Sequence, residues 1–89
     1  MPGARRPSLW DARVAQALGV VIRRRREAAG LTQEALEASS SVHVTHLRGI
    51  ESGRRNPSFE VVWRLALGIG VSLAELGAEV EAELEAQRG

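Results

Sequence analysis

An all-α fold of five helices is the architecture this sequence predicts, and three observations predict it. Apolar residues recur three and four positions apart along most of the chain, the spacing that lines one face of a helix. Thr32, Ser58 and Ser72 each stand just before such a run, where a hydroxyl oxygen accepts from an unpaired N–H of the first turn. Gly30, Gly53 and Gly70 each stand just after one, where a helix ends most readily on a residue without a side chain. With 89 residues and no cysteine, the chain is a single domain near the lower size limit for an unstapled core. Helix packing or self-association must supply its stability.

Taken in order, residues 1–7 form a basic arm with Arg5 and Arg6, expected to be flexible when free. Residues 8–78 are the domain proper, and 79–89 an acidic helical extension. Ser8 and Asp11 have capping-box spacing and predict a first helix from about Leu9 to Ala29. Its last turns carry Arg23, Arg24, Arg25 and Arg26, where a well-placed cation stabilises the negative end of the helix by about 0.3–1 kcal/mol. Successive residues turn by about 100°, so at most two of the four can face a common partner. A second helix is predicted over Gln33 to Ala38, broken by the serines at 39–41, and a third over Val42 to Glu51.

Ser58 opens a fourth helix, with Phe59, Val62, Trp63, Leu65, Ala66 and Ile69 assigned to its buried side. Gly68 lies inside it at a cost of about 1 kcal/mol, unless a close contact uses the missing side chain. Ser72 and Glu75 then make a full capping box and Val71 and Leu76 a hydrophobic staple, so a fifth helix begins at Leu73. Its stripe of Leu73, Leu76, Val80 and Leu84 is longer than so small a core requires, and packs either on a second subunit or on its own chain. Glu79, Glu81, Glu83 and Glu85 oppose the helix dipole, so this end is expected to fray.

The stretch from Leu31 to Gly53 therefore reads as two short helices joined by a tight turn, a helix-turn-helix, whose second helix is suited to a DNA major groove. Net charge is only +1, but its distribution is uneven. Residues 1–30 hold seven arginines against Asp11 and Glu27, while residues 65–89 hold Arg88 against five glutamates. Such asymmetry suits a molecule with one face toward an anion, and all twelve cations are arginine, the residue that binds phosphate or guanine bidentately.

With Leu47 and Ile50 facing inward, the candidates for base contact are His43, Val44, Thr45 and Arg48. Arg48 suits the O6 and N7 of guanine, and Val44 and Thr45 a thymine methyl. Arg54, Arg55 and Asn56 would follow the phosphate backbone on one side, and Thr32 and Gln33 on the other. His43 and His46 share a helix face, yet no third ligand accompanies them, so neither a metal, a cofactor nor catalysis is expected. No apolar run is long enough to span a bilayer, and the start is no signal peptide, which predicts a soluble, cytoplasmic protein without a membrane partner. No small-molecule effector is expected either.

From Leu18 to Leu76 the chain resembles the Cro-like phage-repressor family, also called the xenobiotic-response-element family, of helix-turn-helix regulators. The matching pieces are Leu18-Gly19 with Ile22-Arg23 and Arg26, Gly30-Leu31-Thr32-Gln33-Glu34 with Leu36, and Ile50-Glu51 with Gly53. Arg55-Asn56-Pro57-Ser58, Leu65-Ala66, Gly70-Val71-Ser72-Leu73 and Glu75-Leu76 complete the match. The resemblance implies a lambda-repressor-like fold, a phosphate contact from Gln33, and a structural ion pair between Arg26 and Glu51. Four positions depart from the pattern. Glu37 stands where the family has alanine, so either its stem lies flat with the carboxylate in solvent or the second helix is rotated. Ser41 stands where the turn has glycine and must take a left-handed or altered turn at a cost of about 1 kcal/mol or more. His43 replaces a serine N-cap, and Arg25 a core leucine.

The resulting expectation is a sequence-specific transcriptional regulator, a repressor acting as a homodimer on palindromic double-stranded DNA with half-sites about 34 Å apart. The dimer contact is expected around Ile69, Val71, Leu73, Val80 and Leu84. Alternatives are a restriction-modification controller or an antitoxin of the same fold, and an interaction module that keeps the fold without DNA. The last should have an apolar or acidic outer side on its third helix. The polar, basic set His43, Thr45, His46 and Arg48 favours nucleic acid.

Overall fold

The structure, a computed structural model, describes residues 12–88. Among them are five helices and no strand: α1 (Ala12–Ala28), α2 (Gln33–Ser40), α3 (Val44–Glu51), α4 (Phe59–Ile69) and α5 (Leu73–Arg88). The expected box at Ser8 and Asp11, the arm at 1–7 and the first turn of the predicted first helix lie outside the described residues. The local stop and start signals act as anticipated. Thr32 Oγ1 accepts from Ala35 N–H at 3.0 Å and Ser58 Oγ from Val61 N–H at 3.2 Å. Ser72 and Glu75 bond reciprocally, each at 3.0 Å, and the bond from the Ser72 backbone N–H, followed by the Ser72 hydroxyl, holds the Glu75 carboxyl below its ordinary range.

Two boundaries differ from expectation. Helix α2 continues through Ser39 and Ser40, and α3 starts at Val44 rather than Val42. Ser39 stays helical because its hydroxyl has partners, bonding back to Leu36 O at 3.2 Å and across to Gly68 O at 3.1 Å. Val42 belongs to the turn, where its side chain is nevertheless buried in the core.

Val21, Ile22, Leu36, Val42, Leu47, Ile50, Leu65, Ala66 and Leu76 form one apolar cluster to which all five helices contribute. The most extensive helix contacts are of α2 with α4 and α1 with α5, then α1 with α3. At the α2–α4 crossing, a Cβ on Gly68 would lie within 3.0 Å of Leu36, Ser39 and Ser40, so the close contact that excuses a glycine inside α4 is present.

Phe59 and Trp63 are not on the buried side of α4. They are 68% and 52% exposed, and with Leu67 at 67% they form a second apolar stripe at four-residue spacing. Val61, Val62, Leu65, Ala66 and Ile69 are the residues that meet the core.

Helix α5 runs unbroken to Arg88, and its acidic end is met by α1. Arg24 Nη2 reaches Glu83 Oε1 at 2.7 Å, and Arg25 Nε approaches Glu79 Oε1 at 3.0 Å. These are two of the four consecutive arginines facing one partner, the maximum that helical geometry permits. The Arg24 bond, assisted by Gln87, holds the Glu83 carboxyl below its ordinary range. Arg25 and Glu79 form a close ion pair whose two facing atoms are buried and poorly aligned for a hydrogen bond. Arg25 thus occupies the expected leucine position by reaching out to α5.

Candidate nucleic-acid interface

The chain between α2 and α3 turns on Ser41, which has φ 62° and ψ 23°, the left-handed conformation rather than an altered turn. Its N–H caps α2 by donating to Glu37 O at 2.9 Å, and the buried Ser40 hydroxyl accepts from Val42 N–H at 3.1 Å. The turn is therefore satisfied in hydrogen bonds although its pivot is not a glycine.

Helix α3 has no acidic residue in its own first turn, and its N-terminus is capped twice from outside the helix body. His43 Nδ1 accepts from Thr45 N–H at 3.1 Å. Glu37 Oε2, projecting from α2, accepts from Val44 N–H at 3.1 Å. Neither expectation for Glu37 describes this: its carboxylate takes up a free donor at the positive end of the neighbouring helix. Sequence reasoning missed that role, since it depends on the angle at which α2 meets α3.

A second set of bonds fixes the other end of the motif. Arg26 Nε and Nη2 donate to the two oxygens of Glu51 at 2.7 and 3.0 Å, and Arg26 Nη1 donates to Leu31 O at 2.8 Å. Both side chains are almost wholly buried, at 10% and 5% exposed, and the bond to Glu51 raises the Arg26 pKa further, so the guanidinium stays charged. Glu51 Oε1 also accepts from Gln33 Nε2 at 3.0 Å. With its amide nitrogen so engaged, Gln33 turns its oxygen outward, where Arg48 Nε donates to it at 3.2 Å. Arg48 Nη2 reaches Glu34 Oε2 at 3.1 Å. One chain of bonds thus runs from α1 through α3 and the N-terminus of α2 back to the exposed side of α3.

Of the residues assigned to base contact, His43, Thr45 and Arg48 are exposed and Val44 is half-buried, while Leu47 and Ile50 are fully buried on the opposite side. Thr32 is exposed at the α2 N-cap and Gln33 is half-buried beside it. Arg54, Arg55 and Asn56 are exposed in the loop after α3. The N–H groups of Arg54 and Arg55 both donate to Gly49 O, at 2.9 and 3.1 Å, which draws this basic loop onto the C-terminal end of α3. The Arg55 stem lies across Gly49, where any Cβ would collide with its Cγ. Residues assigned to self-association are all partly buried, and Ile69, Val71 and Val80 pack on their own core. Among the described residues, no group of three or more His, Asp or Glu is placed to hold a metal, and no single helix is long and apolar enough to cross a membrane.

An exposed, polar α3 presented by a tight turn, steadied from behind by α2 and flanked by arginines, defines a helix-turn-helix DNA-binding regulator. The helix-turn-helix family profile matches residues 22–76, most of the described chain, and this protein belongs to that family, one of DNA-binding transcription regulators of the Cro/C1 type. It is similar to the HTH-type transcriptional regulator y4dJ of Sinorhizobium fredii, 45% identical over 53 residues, covering 60% of this chain and 69% of the relative. The control protein C.MunI of a Mycoplasma species is 34% identical over 59 residues, covering 66% and 80%. Among solved structures, the clp gene regulator ClgR of Corynebacterium glutamicum superposes with a TM-score of 0.80 at 28% identity, over 84% of this chain and 80% of that one. The restriction-modification controller C.Esp1396I, as a tetramer on its natural 35 base-pair operator, superposes with a TM-score of 0.76 at 26% identity, over 88% and 97%.

Proposed function

We propose that the chain is a sequence-specific transcriptional regulator that inserts α3 into the major groove of palindromic DNA as a homodimer. The observation that carries this reading is the bond chain Arg26–Glu51–Gln33–Arg48. It uses a buried ion pair to fix two polar side chains on an exposed surface, an arrangement that serves presentation better than core stability. Arg48, Thr45, Val44 and His43 are the base-reading set, and Thr32, Gln33, Arg54, Arg55 and Asn56 the phosphate set. The reading implies no catalytic role and no cofactor, and a cytoplasmic location. Selection of bound sequences from a random DNA pool at stated salt tests it, since recovery of no motif favours an interaction module instead.

The two sets separate experimentally. Arg55→Ala is expected to weaken binding to all sequences and to flatten the salt dependence by about one unit. Arg48→Ala is expected to relax preference at one base position, a loss of about 1–3 kcal/mol against the cognate base alone. Equal losses on every sequence for both variants contradict the division.

Self-association is best supported on α4. Phe59, Trp63 and Leu67 expose one stripe, and a groove beside it is lined by Trp63, Leu67, Val71 and Leu73, two of which are among the expected contact residues. Paired antiparallel about Trp63, two copies would set Phe59 of one against Leu67 of the other, a self-complementary two-fold contact. Trp63→Glu is expected to give a monomer at micromolar concentration by light scattering, with operator affinity reduced at least tenfold. A Trp63→Glu protein that remains dimeric moves the contact elsewhere.

A second reading, that the chain is a restriction-modification controller, is favoured by its likeness to C.MunI and C.Esp1396I. An operator recovered next to a restriction endonuclease gene would support it.

A further inference from the structure

We propose that His43 determines specificity as a neutral hydrogen-bond donor, its Nε2–H meeting guanine in the major groove while its Nδ1 stays committed to capping α3. The proposal rests on the DNA-binding reading and deepens it, naming the atom of His43 that reads and the base that it reads. Its basis is the cap. A backbone N–H can only donate, so His43 Nδ1, 3.1 Å from the Thr45 nitrogen, must be the unprotonated nitrogen of its ring. The proton of the neutral imidazole then sits on Nε2. That nitrogen lies on a different side of the ring from Nδ1, and His43 is exposed at the N-terminus of α3, the end of a recognition helix that meets base edges.

Two features of this helix end hold the ring in that state. Protonating Nδ1 would set one N–H against another and leave the Thr45 N–H without its acceptor. It would also bring a cation to the positive end of α3. The anion which that end favours is already supplied by Glu37, whose Oε2 takes the adjacent Val44 N–H at 3.1 Å. Charge therefore comes from Glu37, and a neutral acceptor from His43. A single fixed donor discriminates among bases. Guanine offers two acceptors on its major-groove edge, N7 and O6, and no donor. Adenine sets its N6 amino donor beside N7, thymine offers O4 alone, and cytosine only its N4 amino donor. Guanine is thus preferred, and cytosine is excluded because a donor would face a donor. One neutral hydrogen bond of this kind favours the guanine complex by about two- to tenfold.

The experiment uses the full chain and the operator recovered from the random pool. His43→Ser keeps an oxygen suited to the N-cap, so its thermal midpoint should equal or exceed that of the wild type. Selection with each protein should differ at one position per half-site, with guanine for the wild type and no preference for His43→Ser. At that position 7-deazaguanine removes N7 and 2-aminopurine removes O6. One of the two should weaken wild-type binding about two- to tenfold more than it weakens His43→Ser. A neutral donor releases no counterion, so the salt dependence of the two proteins should have the same slope. Nitrogen-15 spectra of the imidazole should show Nδ1 bare and Nε2 protonated, both in the free protein and in the operator complex. A salt slope reduced by about one unit in His43→Ser, or an equal loss on every sequence, makes His43 a phosphate contact and overturns the proposal. A ring protonated at Nδ1 in the complex, or analogues that weaken both proteins alike, overturns it too. A wild-type chain that recovers no motif from the pool overturns the DNA reading and the proposal together.

Discussion

Glu51→Ala is expected to destabilise the fold by roughly 3 kcal/mol, because it leaves the buried Arg26 guanidinium without the counter-charge it is bonded to, with only Glu27 near, at 3.8 Å. Arg26 would lose both Glu51 bonds and keep only the one to Leu31 O. In a domain of this size that is a large share of the total, of the order of 5 kcal/mol, and it should appear as a marked fall in the urea midpoint with little change in slope. Arg26→Ala should behave similarly, leaving Glu51 with Gln33 alone. The informative comparison is a double variant, Arg26→Met with Glu51→Leu. Replacing a buried ion pair by apolar side chains is often neutral for stability, so this protein should recover most of its midpoint. Its DNA affinity should not recover, because Gln33 has lost the acceptor that orients its amide and, through it, Arg48. If stability and DNA affinity return together, the pair serves only the fold.

That contrast also shows which parts of the molecule were legible in its sequence. A cap, a box or a staple is written in residues three or four apart, and each closes on itself within one helix. Thr32, Ser58, Ser72 and Glu75 were therefore assignable in advance, whereas a left-handed or altered turn at Ser41 followed only from the resemblance, and the structure has the left-handed one. The resemblance implied the Arg26–Glu51 pair, and the structure forms it with two bonds. Interactions between helices were not legible. Glu37, in place of a small alanine, was expected to send its carboxylate to solvent or to rotate α2, and its actual destination, Val44 N–H, exists only once α2 and α3 cross. The acidic end of α5 was expected to fray because its partners, Arg24 and Arg25, lie far away in sequence on α1. Arg48 was read as simply exposed, without its bonds to Gln33 and Glu34.

Helix α4 is apolar on more than one face. Periodicity locates an apolar stripe but gives no sign of its width, and on this helix two stripes lie side by side. One is buried in the core, and the other carries Phe59, Trp63 and Leu67 into solvent. A large aromatic residue reads as core from composition alone, so Phe59 and Trp63, both exposed, were assigned inward.

Gly19→Ala is expected to destabilise the protein by about 2 kcal/mol or more, although helix propensity alone predicts a gain of up to about 1 kcal/mol. The sign turns on where the added methyl goes. At Gly19 a Cβ would collide with Ile50 O and lie 2.8 Å from Glu51 O, both backbone atoms of α3. Neither can rotate aside, so α1 and α3 must separate, and with them Arg26 and Glu51. At Gly77, on α5, nothing lies within 4 Å of the equivalent position. Gly77→Ala should therefore show the propensity term unopposed and raise the thermal midpoint by a few degrees, as a change of up to about 1 kcal/mol does in a domain of this size. The pair isolates packing from propensity, since the substitution is the same and both sites are helical. Operator affinity supplies an independent readout: Gly19→Ala should lower it even where the protein is fully folded, because α3 has moved, and Gly77→Ala should leave it unchanged. A Gly19→Ala protein as stable as the wild type would mean that α1 and α3 can part without cost, and the rigid support inferred for Arg48 would then have no foundation.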